Sequence, residues 1–106
     1  MTQATYSASI GGPGSDYADL AALEIPRYVT NPQDKNDAAA IRAAHVLAFY
    51  KELSGASPID PPGETVVILT DLLADLRHMA EALGLDFEFS DERAVVVYEW
   101  EREGLI

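Results

Sequence analysis

Apolar positions along the chain recur mostly with the period of an α-helix. In residues 65–87 they fall three and four positions apart and form one broad stripe, while charged side chains occupy the other positions. Gly84 follows the last apolar position, where a residue of left-handed conformation usually ends a helix. The pattern predicts a helix over about 65–83, around which we expect the rest of the chain to be organised. Its apolar positions are Leu69, Leu72, Leu73, Leu76, Met79, Ala80 and Leu83.

A second long helix is predicted before this one. Asn31 followed by Pro32 is a typical helix start, because asparagine caps the first turn and proline suits the first helical position. The alanine-rich stretch that follows favours helix, and its wide apolar arc indicates packing on more than one side. We expect this helix to end at Gly55 and the proline-rich residues 56–63 to connect the two helices.

The first sixteen residues are small and polar, and the run Gly11-Gly12-Pro13-Gly14 does not fit inside a regular element. They are predicted to form a flexible arm. Ser15 or Asp16 could cap a short helix that follows. The predicted organisation is an arm at 1–16 and a single helical domain at 17–106.

Two structures compete after Gly84. Leu85, Phe87 and Phe89 alternate with acidic residues, and the β-branched run at 95–97 favours a hairpin by propensity alone. The competing interpretation is a helix beginning near Ser90 or Asp91. The predicted fold class is mainly α, a small three-helix domain with a loose N-terminal arm, and the alternative is α+β with a hairpin at 85–100.

The segment DLLADLRHMAEALGLDF resembles a loose group of small, mostly uncharacterised phage and plasmid proteins. The resemblance covers about residues 38–103 and implies an α-helical domain carried on a mobile element, with an anti-CRISPR type of inhibitor as one possibility. It brings no catalytic residue, and the chain departs from the pattern at Phe89 and 95–97. The matching residues are Asp71, Leu72, Leu73, Asp75, Leu76, His78, Gly84, Asp86, Phe87, Ala94 and Tyr98.

The charge balance narrows the class of partner. Eighteen acidic residues against seven basic ones give a formal net charge of −11. A free nucleic-acid binder needs a basic patch, so direct nucleic-acid binding is not predicted. The electric field of so acidic a chain attracts basic protein surfaces instead. The chain shows neither a signal peptide nor an apolar run of the roughly 20 residues that a membrane span needs, so a cytoplasmic location in the host cell is expected.

The helix predicted over 65–83 carries one candidate metal site. Asp71, Asp75 and His78 share one helix face at i, i+4 and i+7, and such side chains can bind a divalent cation. These sites usually need carboxylates from a second helix, where the sequence offers no matching pair, so a solvated face is favoured. His45, on a largely apolar helix, is interpreted as a hydrogen-bonded core residue. No catalytic residue and no cofactor are therefore predicted.

The C-terminal quarter carries the strongest interaction signal. It contains seven acidic residues but only two arginines, and two aromatic residues lie among them in the sequence. Aromatic anchors rimmed by carboxylates suit a basic partner surface, whereas the alternative is that the aromatics complete the core while the acids face water. The predicted partner-binding residues are Asp86, Glu88, Asp91, Glu92, Tyr98, Glu99, Trp100, Glu101 and Glu103.

Together these features predict a non-enzymatic protein that covers a basic surface of a host nucleic-acid-handling complex, with CRISPR-Cas as the leading candidate. One alternative is a metal-dependent nucleotide hydrolase-like enzyme. Another is an accessory oligomerisation domain, since the wide apolar arc of the first long helix also allows a homodimer.

Overall fold

The described part of the chain is mostly helical. The structure is a computed structural model that describes residues 5–7, 10, 15–54 and 64–106, and these form four helices and no strand. The mainly α fold class is confirmed. The predicted glycine-rich run 11–14, the helix end at Gly55 and the connector 56–63 lie outside the described residues. The helices are α1 (Tyr17–Ala21), α2 (Pro32–Ser54), α3 (Glu64–Leu83) and α4 (Phe87–Glu103).

The first two helices begin at the predicted capping residues. The Asp16 side chain accepts hydrogen bonds from the backbone of the first turn of α1, and the Asp19 side chain accepts one from the Asp16 N–H, which completes a capping box. At the start of α2, Asn31 Oδ1 accepts from the Asp34 backbone N–H at 2.8 Å. These caps satisfy backbone donors that a helix start otherwise leaves unpaired.

The centre of the structure is α2, not the α3 stretch that the apolar pattern favoured. The other three helices all contact α2. The small side chains of α2 let these neighbours approach closely on several sides, which a stripe of leucines does not. The buried apolar residues are Ala38, Ile41, Ala44 and Leu47 of α2 with Ile68 and Ala80 of α3.

The start of α2 also binds the N-terminal segment. Asn36 and Asp37 are buried polar residues. Asn36 Nδ2 donates to the Thr5 carbonyl at 3.2 Å, and Asp37 Oδ1 accepts from the Ser7 N–H at 3.0 Å. The two side chains thereby recover the hydrogen bonds that burial removes. Part of the predicted arm is thus bonded to α2, and the flexibility of 1–16 as a whole stays a prediction.

The alternative C-terminal hairpin at 85–100 is wrong, because residues 87–103 form α4. Gly84 has a φ of 72° and ends α3, where the Leu85 N–H donates to the Ala80 carbonyl at 2.8 Å. Asp86 then caps α4 by accepting from the Phe89 N–H at 3.2 Å. Two local signals, the left-handed glycine and the cap, therefore override the strand preference of the valines. The helix starts before Ser90, where the helical alternative began it.

No helix in the described ranges has both the length and the apolar character needed to cross a membrane.

Gly104 ends α4, and its substitution tests how this end of the helix packs on α2. Gly84 and Gly104 both have positive φ, but a Cβ added at Gly104 would lie 2.9 Å from Pro32 Cγ, whereas one at Gly84 meets nothing within 4 Å. Because the left-handed backbone at Gly84 is strained for any residue with a Cβ, Gly84→Ala should lower the free energy of unfolding by about 1 kcal/mol. Gly104→Ala should lower the free energy of unfolding by about 1 kcal/mol more than that, because the added Cβ would also be too close to Pro32. Urea unfolding of both variants measures the difference, and equal losses would contradict the packing of α4 on α2.

Candidate partner-binding surface on the last helix

One face of α4 is turned towards the N-terminal segment and α2. Tyr98 lies beside Tyr6, and burial together with the Tyr98 hydroxyl raises the pKa of Tyr6. Glu101 is half-buried near Lys35 and Ala38, residues that line the same small depression. Because this face is in contact with the rest of the protein, the opposite face of α4 points away from it.

The outward face carries a row of large apolar side chains. Phe89, Val96 and Trp100 stand at i, i+7 and i+11, which brings them onto one side of the helix. They are 59%, 44% and 47% exposed, respectively. Together with Arg93, whose guanidinium lies 6.0 Å from the centre of the Phe89 ring, they line a depression of about 250 Å³. We call Phe89, Val96 and Trp100 the α4 stripe.

A row of carboxylates runs beside the α4 stripe. Glu92, Glu99 and Glu103 have the same i, i+7, i+11 spacing as the stripe and are displaced from it by three residues, so they follow one edge of it. All three are exposed. We call them the acidic flank. An apolar row with one charged edge is a common composition for a protein-binding surface.

The other five predicted partner-binding residues lie off this face, and two of them have local roles. Asp86 is the cap of α4, and Glu88 accepts from Arg77 of α3 at 2.5 Å. Arg77 also lies 4.4 Å from the centre of the Phe87 ring, so it links the two helices across their turn. The remaining three, which do not share the outward face of α4 with the stripe, are Asp91, Tyr98 and Glu101.

The structure thus brings four of the predicted residues together: Glu92, Glu99, Trp100 and Glu103. Trp100 does not complete the core, as the alternative interpretation had it, since nearly half of its surface is exposed. The sequence interpretation missed Phe89 and Val96: its hairpin alternative placed both in strands, and its helical interpretation began the helix after Phe89. Their helical spacing from Trp100 is the signal that could have identified them.

The proposed metal-binding side chains do not form a cluster that could hold an ion. Within the described ranges, no three histidine or carboxylate side chains are arranged in this way, Asp71, Asp75 and His78 included. Asp75 instead accepts a hydrogen bond from the Tyr50 hydroxyl of α2 at 2.5 Å. His45 bonds through Nε2 to the Leu23 carbonyl at 2.7 Å, which agrees with its interpretation as a hydrogen-bonded residue, but it is only half-buried and does not belong to the core.

Comparison with profiles of known protein families, with curated protein sequences and with solved structures finds no significant match. The functional argument therefore rests on the residues of this chain alone.

The Tyr50–Asp75 bond should be visible in the titration of the tyrosines. The hydrogen bond to Asp75, some burial and the nearby charge of Asp71 raise the pKa of Tyr50 to about 12. Because the folded state holds this proton more tightly than an unfolded chain, the bond should stabilise the fold below pH 10 and stop doing so as the pH rises towards 12. Ultraviolet titration of the wild type and Tyr50→Phe assigns the signal. Asp75→Ala should return it towards 10, and an unchanged titration would contradict the bond between α2 and α3.

Proposed function

We propose that this protein is a binding module that lays the outward face of α4 into an apolar groove on another protein. The observation that carries the proposal is the exposed α4 stripe with its parallel acidic flank. A helix bound in this way uses anchors at helical spacing on one face, as Phe89, Val96 and Trp100 provide. Exposed aromatic side chains are the residues that most often dominate binding energy at such interfaces.

The acidic flank narrows the chemistry of the partner. Glu92, Glu99 and Glu103 would meet the rim of the groove, and the chain carries a net charge of −11. The acidic flank therefore favours a groove whose rim carries lysine and arginine. It would repel a groove with an acidic rim, both at long range and in contact. Protein surfaces of this kind, apolar and bordered by basic residues, occur where proteins hold nucleic acid.

Covering such a surface would exclude nucleic acid from it. The α4 stripe would supply most of the affinity, and the acidic flank would neutralise cations that otherwise bind phosphate. The proposed activity is thus inhibition of a host nucleic-acid-handling complex by occupation of its basic surface. A CRISPR-Cas effector is the first candidate, on the strength of the resemblance of 38–103 to phage and plasmid proteins.

The first test measures binding to a panel of purified CRISPR-Cas effector complexes, together with the nucleic-acid binding of each complex. For the true partner, affinity should fall about tenfold or more between low and physiological salt, since exposed charges are screened over about 8 Å. The triple variant Glu92→Lys, Glu99→Lys and Glu103→Lys should lose binding and inhibition together. A matched control, Glu24→Lys, Asp71→Lys and Glu81→Lys, changes the net charge equally at exposed positions outside α4 and should retain both.

Equal loss of binding in the two triple variants would mean that net charge alone attracts the partner, and the specific docking surface would be refuted. Binding that responds neither to salt nor to the acidic flank would remove the electrostatic mechanism.

A second test follows the anchor itself. Trp100 is the only tryptophan in the chain, so a fluorotryptophan label reports on this one side chain. Its fluorine NMR signal should shift and broaden when a partner binds, because an indole that is 47% exposed leaves water. Trp100→Ala should weaken binding by about 2 kcal/mol or more, as expected for a central aromatic anchor. An unshifted signal at saturating partner would exclude the α4 stripe from the interface.

A further inference from the structure

Three basic side chains line one depression beside the inner face of α4. The depression has a volume of about 410 Å³, and Arg27, Lys35 and Arg42 are among its described lining residues. The whole chain has only seven lysines and arginines against eighteen acidic residues. Three of the seven cations of a very acidic chain thus meet at one place. We call the space that these three side chains line the basic depression.

The basic depression is formed by three separate segments. Lys35 and Arg42 stand at i and i+7 on one face of α2. Arg27 comes from the connector between α1 and α2, and Glu101 and Ile106 come from the end of α4 and the residues after it. Because tertiary packing brings these segments together, neither the charge count nor helical spacing could indicate the cluster.

The two arginines of the basic depression differ from the other arginines of the chain. The chain has five arginines, and three of them contact a carboxylate or an aromatic ring: Arg77, Arg93 and Arg102. Within the described ranges, Arg27 and Arg42 make no such contact, and both are exposed. Their guanidinium donors are therefore available to a ligand.

The other charged groups nearby do not neutralise these two arginines. Lys35 Nζ donates to the Ile106 carbonyl at 3.4 Å. Glu101 is half-buried at the α4 side of the depression and forms no ion pair with either arginine among the described contacts. Asp34 and Asp37, the acidic residues closest to Lys35 along α2, line a different depression. Two positive charges thus remain unpaired within the basic depression.

The net charge of −11 limits the size of an anion that can bind here. Exposed charges act over about 8 Å at physiological ionic strength, so a small anion inside the depression responds mainly to the cations that line it. A nucleic-acid strand would extend beyond this distance and meet the acidic surface of the chain, which repels it. The basic depression therefore suits a small anion and not a polyanion.

We propose that the basic depression binds the phosphate group of a small molecule. A guanidinium presents a planar fork that donates two parallel hydrogen bonds to a phosphate. The charges of Arg27 and Arg42 together match a phosphate monoester, which carries about −1.5 to −2 at pH 7, whereas a single carboxylate would leave one arginine unmatched.

The dimensions of the basic depression fit a phosphate ester such as a mononucleotide. Its volume of about 410 Å³ lies in the usual range of small-molecule sites, roughly 300 to 1,000 Å³. Val29 and Ala38 also line it and offer apolar surface to the part of the ligand that carries no charge. Because the ligand would contact three segments at once, it should also raise the temperature of unfolding.

The phosphate site does not depend on the function proposed for α4. Phe89, Val96 and Trp100 are not among the described residues that line the basic depression. Arg27 and Arg42 belong neither to the α4 stripe nor to the acidic flank, so their substitution leaves the proposed partner surface intact.

Titration of the full chain with inorganic phosphate, adenosine monophosphate and adenosine tests the site. In two-dimensional nitrogen–proton NMR spectra, phosphate and adenosine monophosphate should shift the backbone signals of residues 26–29, 35–42 and 101–106. Adenosine has no phosphate and should leave these signals in place. Tighter binding of adenosine monophosphate than of inorganic phosphate would identify a nucleotide as the ligand, whereas equal affinities would identify free phosphate.

Paired variants test the role of the two arginines. Arg27→Gln with Arg42→Gln should raise the dissociation constant of adenosine monophosphate about tenfold or more, because two charge-assisted contacts are lost. Arg77→Gln with Arg102→Gln is the matched control: it removes the same charge at exposed positions outside the depression and should retain binding. Circular dichroism checks that both variants keep their helix content.

Backbone signals that stay unshifted at millimolar phosphate and adenosine monophosphate would overturn the proposal. Equal weakening in the two paired variants would refute the assignment to this depression. Acetate that binds as tightly as phosphate would refute the preference for phosphate, and a single-stranded oligonucleotide that binds more tightly than adenosine monophosphate would refute a small ligand. None of these results changes the binding tests of α4, so failure of one proposal is distinguishable from failure of the other.

Discussion

The structure depends on the hydrogen bonds and contacts at the start of α2. Asn36 and Asp37 bind the backbone of the N-terminal segment, and Gly104 packs against Pro32 at the other end of the chain. Lys35 Nζ donates to the Ile106 carbonyl at 3.4 Å, which places the last residue there as well. Residues 5–7 and 104–106 thus both contact the start of α2, where the buried side chains of Asn36 and Asp37 obtain their hydrogen bonds. The orientation of α4 follows from it: one face is held against the protein, and Trp100 is directed outwards.

The same arrangement explains why so much apolar surface remains exposed. Most of the small core comes from one side of α2, and α3 and α4 each use only part of their apolar arcs in contact with it. The α4 stripe is one such uncovered surface, and the carboxylates along one of its edges are the basis of the partner chemistry proposed for it.

The C-terminal quarter shows where sequence interpretation succeeds and where it fails. Its acidic and aromatic content drew attention to the segment that forms α4, but propensity at 95–97 favoured a strand. The capping geometry of Asp86 and the left-handed Gly84 were stronger, because each satisfies or ends a hydrogen-bonded helix turn directly. The hairpin alternative separates Phe89 from Trp100, and the helical interpretation begins after Phe89, so neither one indicated the stripe that these residues form with Val96. Conversely, Asp71, Asp75 and His78 share a helix face by spacing, yet Asp75 is engaged by Tyr50.

The sequence by itself determined the helical class and the places where helices begin and end, at Asp16, Asn31 and Gly84. Those are local matters, since a cap or a left-handed residue acts on backbone groups within one turn of itself. The tertiary structure alone decided which face of each helix is covered. Apolar arcs on α2 and α3 are wider than any one neighbour can cover, so periodicity could not distinguish buried Ile68 from exposed Leu69. That choice depends on residues far apart in the chain, and it leaves the α4 stripe exposed.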